Sequence, residues 1–90
     1  MISLTDAVKL INQLNIKLDK FSINDFITGY NIELEHGNIN PITNVTNNDP
    51  IITAKIALAH LNEFPDYYNL QYGLPAFENF LKNKRQTREI

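Results

Sequence analysis

Leu4, Val8, Ile11 and Leu14 recur at three- and four-residue spacing, the signature of a helix with one apolar stripe. Ser3 stands just before this run and Asp6 three residues later, a variant of the capping box. A first helix is therefore predicted from Ser3 to near Asn15. Ile16-Lys17-Leu18-Asp19 alternates like a strand, but a lone strand has nothing to pair with, and the segment reads as linker. Ser22 and Asp25 open a second helix in the same capping pattern. On it Phe26, Tyr30 and Glu33 fall on one line, with Ile23, Ile27 and Leu34 beside them. Gly37 is its expected stop, because glycine accepts the left-handed conformation beyond a helix end. Gly29 lies mid-helix at a cost of about 1 kcal/mol against alanine, which points to a close helix crossing there.

Asn38 to Asn48 is rich in Asn and Thr, residues that bond locally to backbone, and predicts a loop. Thr46 with Asp49 offers a further capping box, or Asp49 caps directly with Pro50 at the first helical position. The helix that follows, Ile51 to Phe64, is apolar nearly all round and belongs in the middle of a bundle. Pro65 ends it. Asp66 is placed to cap a short helix carrying Tyr67, Tyr68 and Leu70, and Gly73 and Pro75 precede a last helix with Phe77, Phe80 and Leu81. With no partnered strand and no internal repeat, the expectation is an all-α single domain over residues 1–90. It has four or five short helices around a central apolar helix at about 50–64.

Composition narrows the function classes. At 43% apolar and 20% charged residues the chain is globular rather than disordered, and ninety residues bury a modest core without staples. There is no cysteine, which removes disulfides, thiolate metal sites and cysteine nucleophiles. No apolar run is long enough to cross a bilayer, and the first residues lack a signal-peptide pattern, so a cytoplasmic protein is expected. The net charge of −2 is unevenly spread: Lys82, Lys84, Arg85 and Arg88 form a basic C-terminal tail from about residue 82. Cations there complement a helix dipole. The body offers no basic face, so nucleic acid is limited to a weak contact of this tail.

The candidate chemistry lies between Glu33 and Tyr68. Both histidines stand three residues from a glutamate, as Glu33-x-x-His36 and His60-x-x-Glu63, and on a helix that spacing puts each pair on one face. His60 shares a stripe with Thr53, Ala57 and Phe64, so it points toward apolar neighbours. A buried Glu33 and a buried His60 need partners, and each other is one answer, with Tyr30, Thr53, Tyr67 and Tyr68 supplying hydroxyls. That is a structural polar network. The alternative is a metal site for zinc, iron or manganese with Glu33, His36, His60 and Glu63 as ligands, since Glu-x-x-His is the ligand pair of carboxylate-bridged metal bundles. Gly-rich phosphate loops, nucleophile elbows and EF-hand loops are missing.

Glu33-Leu34-Glu35-His36-Gly37, Thr43-Asn44-Val45-Thr46, Asp49 and the run Lys55 to Tyr68 resemble an uncharacterised family of small helical domains found in bacteriophages, large DNA viruses and some bacteria. The resemblance covers roughly Phe26 to Leu70. It implies a viral or phage-type origin and makes Glu33, Glu35, His36, Asp49, His60, Glu63, Asp66, Tyr67 and Tyr68 the characteristic positions. It carries no activity with it, and Asn69-Leu70-Gln71-Tyr72-Gly73 departs from the family pattern. Three functions then stand open. The first is a non-enzymatic interaction or structural module, whose surface lies around Phe77 and Phe80 and whose partner is another protein or a second copy. The second is a metal-binding domain acting in hydrolysis or redox chemistry. The third is a hydrolase using His60 as general base, for which no nucleophile stands out.

Overall fold

The structure, a computed structural model, describes residues 1–89, with side chains to residue 85. It has four helices: α1 (Leu4–Gln13), α2 (Ile23–Ile39), α3 (Pro50–Glu63) and α4 (Leu74–Glu89), and among the described residues no strand. The protein is all-α, as its periodicity predicts. The helix starts follow the capping residues. Ser3 accepts from the Asp6 amide, Ser22 and Asp25 form a reciprocal box, and Asp49 accepts from the amides of Ile51 and Ile52 with Pro50 at the first helical position. Each of these caps satisfies amides that have no partner within the helix.

α2 packs chiefly on α3, and α1 packs on α2. Phe26 and Leu61 fill the centre with no exposed surface, alongside Ala7, Ala54 and Ala57, and removing each of the large pair from water contributes about 2–3 kcal/mol. α1 is turned relative to the expected stripe. Its buried residues are Ala7, Leu10 and Ile11, while Leu4 and Val8 are exposed. The same spacing of three and four residues fits both sets, and periodicity alone does not choose between them.

Ile16 to Asp19 is not free linker. Asn15 takes the left-handed conformation with φ 53°. The Ile16 amide then reaches the Ile11 carbonyl at 2.9 Å and the Asn15 amide reaches Asn12 at 3.3 Å. This double closure is the Schellman arrangement, with asparagine in the position glycine usually takes, and it turns Ile16 into the core.

Gly37 does not end α2, which continues to Ile39, and no glycine has a positive φ. Gly37 instead makes room for the loop: a Cβ on it would lie 2.5 Å from the hydroxyl of buried Thr46. Nor is residues 66–70 a helix. The segment is a string of turns closed by the Leu74 amide on the Tyr67 carbonyl at 2.7 Å. Those turns drop Tyr68 onto α2 at Gly29, so the close approach there is by a ring rather than by a crossing helix.

A Cβ at Gly29 would stand 2.5 Å from Cε2 of Tyr68, a side chain that is buried and unable to swing away. Gly29→Ala is therefore expected to lower stability by about 2 kcal/mol through overpacking, read by urea unfolding. A gain near the intrinsic helix preference of alanine, about 1 kcal/mol, would show that the ring does not press on this position.

Candidate functional site

Glu33 lies on the α2 face turned toward α3, one turn beyond Tyr30 and two beyond Phe26, and only 8% of its surface is exposed. His60 arrives from the last turn of α3 and Tyr68 from the turns after it. The three polar tips meet. The Tyr68 hydroxyl donates to Glu33 Oε2 at 2.5 Å, and His60 Nδ1 lies 2.7 Å from the Tyr68 oxygen and 3.1 Å from Glu33 Oε2. With the tyrosine proton directed at the carboxylate, the phenol oxygen is left to accept. Nδ1 is then the nitrogen that carries hydrogen, shared between the two oxygens. Tyr67 stacks on the His60 ring at 4.2 Å and 11°, and its edge meets Tyr68 at 4.9 Å.

The other carboxylate oxygen points along α2. Glu33 Oε1 is 3.9 Å from Nδ1 of His36, and Nε2 of that histidine is 3.6 Å from Oε1 of Glu78 on α4. One buried carboxylate thus reaches α3 and the tyrosine turn through Oε2 and α4 through His36. Both histidine rings are about one-third exposed.

Burial pushes the Tyr68 hydroxyl well above the ordinary tyrosine range, with the hydrogen bond to Glu33 and its charge adding and Tyr67 contributing least. Burial also raises Tyr67, followed by Glu33, Glu78 and Glu63, and raises Tyr30, followed by Asp49 and Asp6.

The structure brings Glu33, His60, Tyr67 and Tyr68 together, and places Tyr30 and Thr53 elsewhere. The Thr53 hydroxyl, fully buried, donates to the Asp49 carbonyl one turn back at 2.8 Å, the usual local bond of a helical threonine. Tyr30 lines a groove with Asp6, Leu34 and Pro50, and its hydroxyl senses Asp49 and Asp6 rather than Glu33. Tyr67 joins through its ring face rather than its hydroxyl. Of Glu33, His36, His60 and Glu63, the two histidines take opposite oxygens of one carboxylate and Glu63 is exposed. Among the described residues no three His, Asp or Glu side chains converge in a group that would hold a metal ion. Glu35 and Asp66 are also exposed.

Glu78 is the member that sequence reasoning missed, and no local spacing links it to His36, 42 positions earlier in the chain. Asn31, which accepts the Ile2 amide at 2.9 Å and pins the N-terminus, was equally silent.

A carboxyl-supported imidazole with its second nitrogen outward has the chemistry of a general base. The group stacked on it, however, is the aromatic ring of Tyr67, and His60 lines none of the surface grooves described. One of about 360 Å³ is lined by Ile2, Leu10, Tyr30 and Leu34. Another of about 660 Å³ runs between α2 and α4. What the cluster supplies directly is cross-linking: three segments are held by one carboxylate with every buried polar side-chain atom among the described residues partnered.

The raised Tyr68 hydroxyl has a thermodynamic sign. The folded protein keeps this proton where the unfolded chain loses it, near pH 10. The stability it represents is complete below that pH and lost above it, by about 1.4 kcal/mol per pH unit. Urea unfolding between pH 8 and 11 is expected to show this fall, and Tyr68→Phe to reduce its slope. An identical slope in the variant would mean that Tyr68 ionises freely in the fold.

No curated protein sequence and no solved structure matches the chain. A family profile does: the one described as protein of unknown function (DUF5661) matches residues 7–73. That span contains Glu33, His36, His60, Tyr67 and Tyr68 and stops one residue before α4 begins. Covering most of the chain and all of the cluster's core, the match makes this protein a member of the DUF5661 family.

Proposed function

We propose that the chain is a non-enzymatic interaction module, in which a three-helix body locked by the Glu33–His60–Tyr68 cluster displays α4 to a protein partner. The observation that carries this is the surface of α4. Phe77, Phe80 and Leu81 are 58, 55 and 47% exposed, and no described side chain of the helix is buried. Exposed large apolar groups gathered on one element mark an interaction site more often than idle surface. The cluster serves this role by fixing the turn from which α4 departs, since the Leu74 amide is bonded to the carbonyl of Tyr67. We further read the protein as an accessory or particle-associated component of phage or DNA-virus type, on the strength of the Glu33–Gly37 and Lys55–Tyr68 segments. Among the described residues no helix is long and apolar enough to cross a membrane.

A photoactivatable phenylalanine analogue placed at Phe80 and, separately, at the groove-facing Asn79 tests the module reading. In cells making the protein, covalent adducts of any protein, including a second copy, are expected from position 80 well above those from position 79. Equal or absent adducts at the two positions would contradict it.

A further inference from the structure

Tyr30 is buried to 6% exposure, its ring 6.3 Å from that of Phe26, yet the fold makes no use of its polar end. Among the described residues nothing hydrogen-bonds its hydroxyl. Every fully buried polar side-chain atom among those residues does have a partner, so this hydroxyl is not sealed in. It opens on the groove that Tyr30 lines with Ile2, Asp6, Leu10, Leu34 and Pro50. A phenol withdrawn from bulk water without a protein partner carries a cost that a ligand atom would offset.

Size and charge narrow the occupant. The groove holds about 360 Å³, at the small end of the range of about 300–1,000 Å³ for small-molecule sites, which suits a compact molecule rather than a docked helix. Ile2, Leu10 and Leu34 make its wall apolar. The charges that act on the Tyr30 hydroxyl are the carboxylates of Asp49 and Asp6. Asp49 spends Oδ1 on the amides of Ile51 and Ile52. Asp6 is exposed, and its carboxylate has no partner among the described residues. Met1 and Lys9 bring positive charge to the same groove, but both are exposed, and a lysine lays its stem along such a wall while its ammonium stays in water.

We propose that the groove binds a small apolar amine, its ammonium held between the Tyr30 phenol oxygen and the Asp6 carboxylate and its carbon frame on Ile2, Leu10 and Leu34. The phenol oxygen has lone pairs to accept an N–H, and a charge-assisted bond is about twice as strong as a neutral one. A neutral molecule of the same shape gains the apolar contacts without the charge. An anion meets two carboxylates. The site goes beyond the interaction-module reading and does not depend on α4, which contributes no residue to it.

Benzylamine, benzyl alcohol and benzoate share one frame and differ in charge. Titrating each into the isotope-labelled full chain at neutral pH, followed by backbone amide resonances, tests this. Benzylamine is expected to shift the amides of Ile2, Leu10 and Leu34 with a dissociation constant of about 1 mM. Benzyl alcohol is expected to bind there about tenfold more weakly, and benzoate not at all. Tyr30→Phe keeps the buried ring and is expected to weaken benzylamine about tenfold. Asp6→Asn, at an exposed position that does not threaten the fold, is expected to weaken it about two- to fivefold. Asp19→Asn removes the same charge beside a different groove and is expected to leave it unchanged. Equal affinity for the amine and the alcohol would overturn the proposal, as would the absence of shifts at these amides up to about 20 mM. Benzoate binding best, and losing affinity in Lys9→Gln, would assign the groove to an acid instead. Equal losses of benzylamine affinity in Asp6→Asn and Asp19→Asn would reduce the effect to general attraction of a cation to an acidic protein, and would overturn the site.

Discussion

A carboxyl group taken out of water must recover its lost hydration from neighbouring donors, and Glu33 shows how much structure that demand can organise. Its two oxygens are served by three side chains from three separate parts of the chain: His60 at the end of α3, Tyr68 in the turns beyond it, and His36 on its own helix. Removing Tyr68 or His60 leaves the buried Glu33 carboxylate short of a donor, and such a loss costs more than the bond itself contributes. Apolar packing of Phe26 and Leu61 supplies the bulk of the driving force, but it would tolerate several ways of laying α3 on α2. The cluster selects one of them, because only one rotation and height brings Nδ1 and the phenol oxygen to the same carboxylate oxygen.

The consequences spread along the chain in both directions. Tyr68 reaches Glu33 by passing against α2 where residue 29 has no side chain, so the glycine that weakens the helix is what admits the ring. Tyr67, its neighbour, is left to stack on His60, which holds the imidazole plane. The carbonyl of Tyr67 then receives the first amide of α4, and Glu78 on that helix closes on His36. The orientation of α4, polar side inward and apolar side outward, is thus tied to the same carboxylate.

Much of this was legible in the residues. The helices announced themselves by capping side chains, and Ser22–Asp25 and Asp49–Pro50 locate two starts because a cap is a local bond that needs no tertiary information. The pairing of Glu33 with His60 followed from helical phase and the cost of burial. What was not legible depended on contacts distant in sequence. The stripe on α1 was misjudged because Leu4–Val8–Ile11 and Ala7–Leu10–Ile11 share a period, and small Ala7 wins its place through close packing. Gly37 looked like a terminator and is instead a site of loop contact with Thr46. Tyr30 and Thr53 carry hydroxyls near the right register, but Thr53 bonds to the Asp49 carbonyl and Tyr30 lines a separate groove beside α1. Glu78 had no signal at all, since the turn that carries it back to His36 exists only once Tyr68 is docked.

The central claim is that Glu33 and Tyr68, both buried, stabilise the fold jointly through a direct bond, rather than as two independent polar residues. A double-mutant cycle of Glu33→Gln and Tyr68→Phe, read by urea unfolding at neutral pH, measures that coupling. The account predicts an interaction energy of about 1–3 kcal/mol between the two substitutions. Costs that simply add, to within about 0.3 kcal/mol, would contradict it and leave the helices held by apolar packing alone.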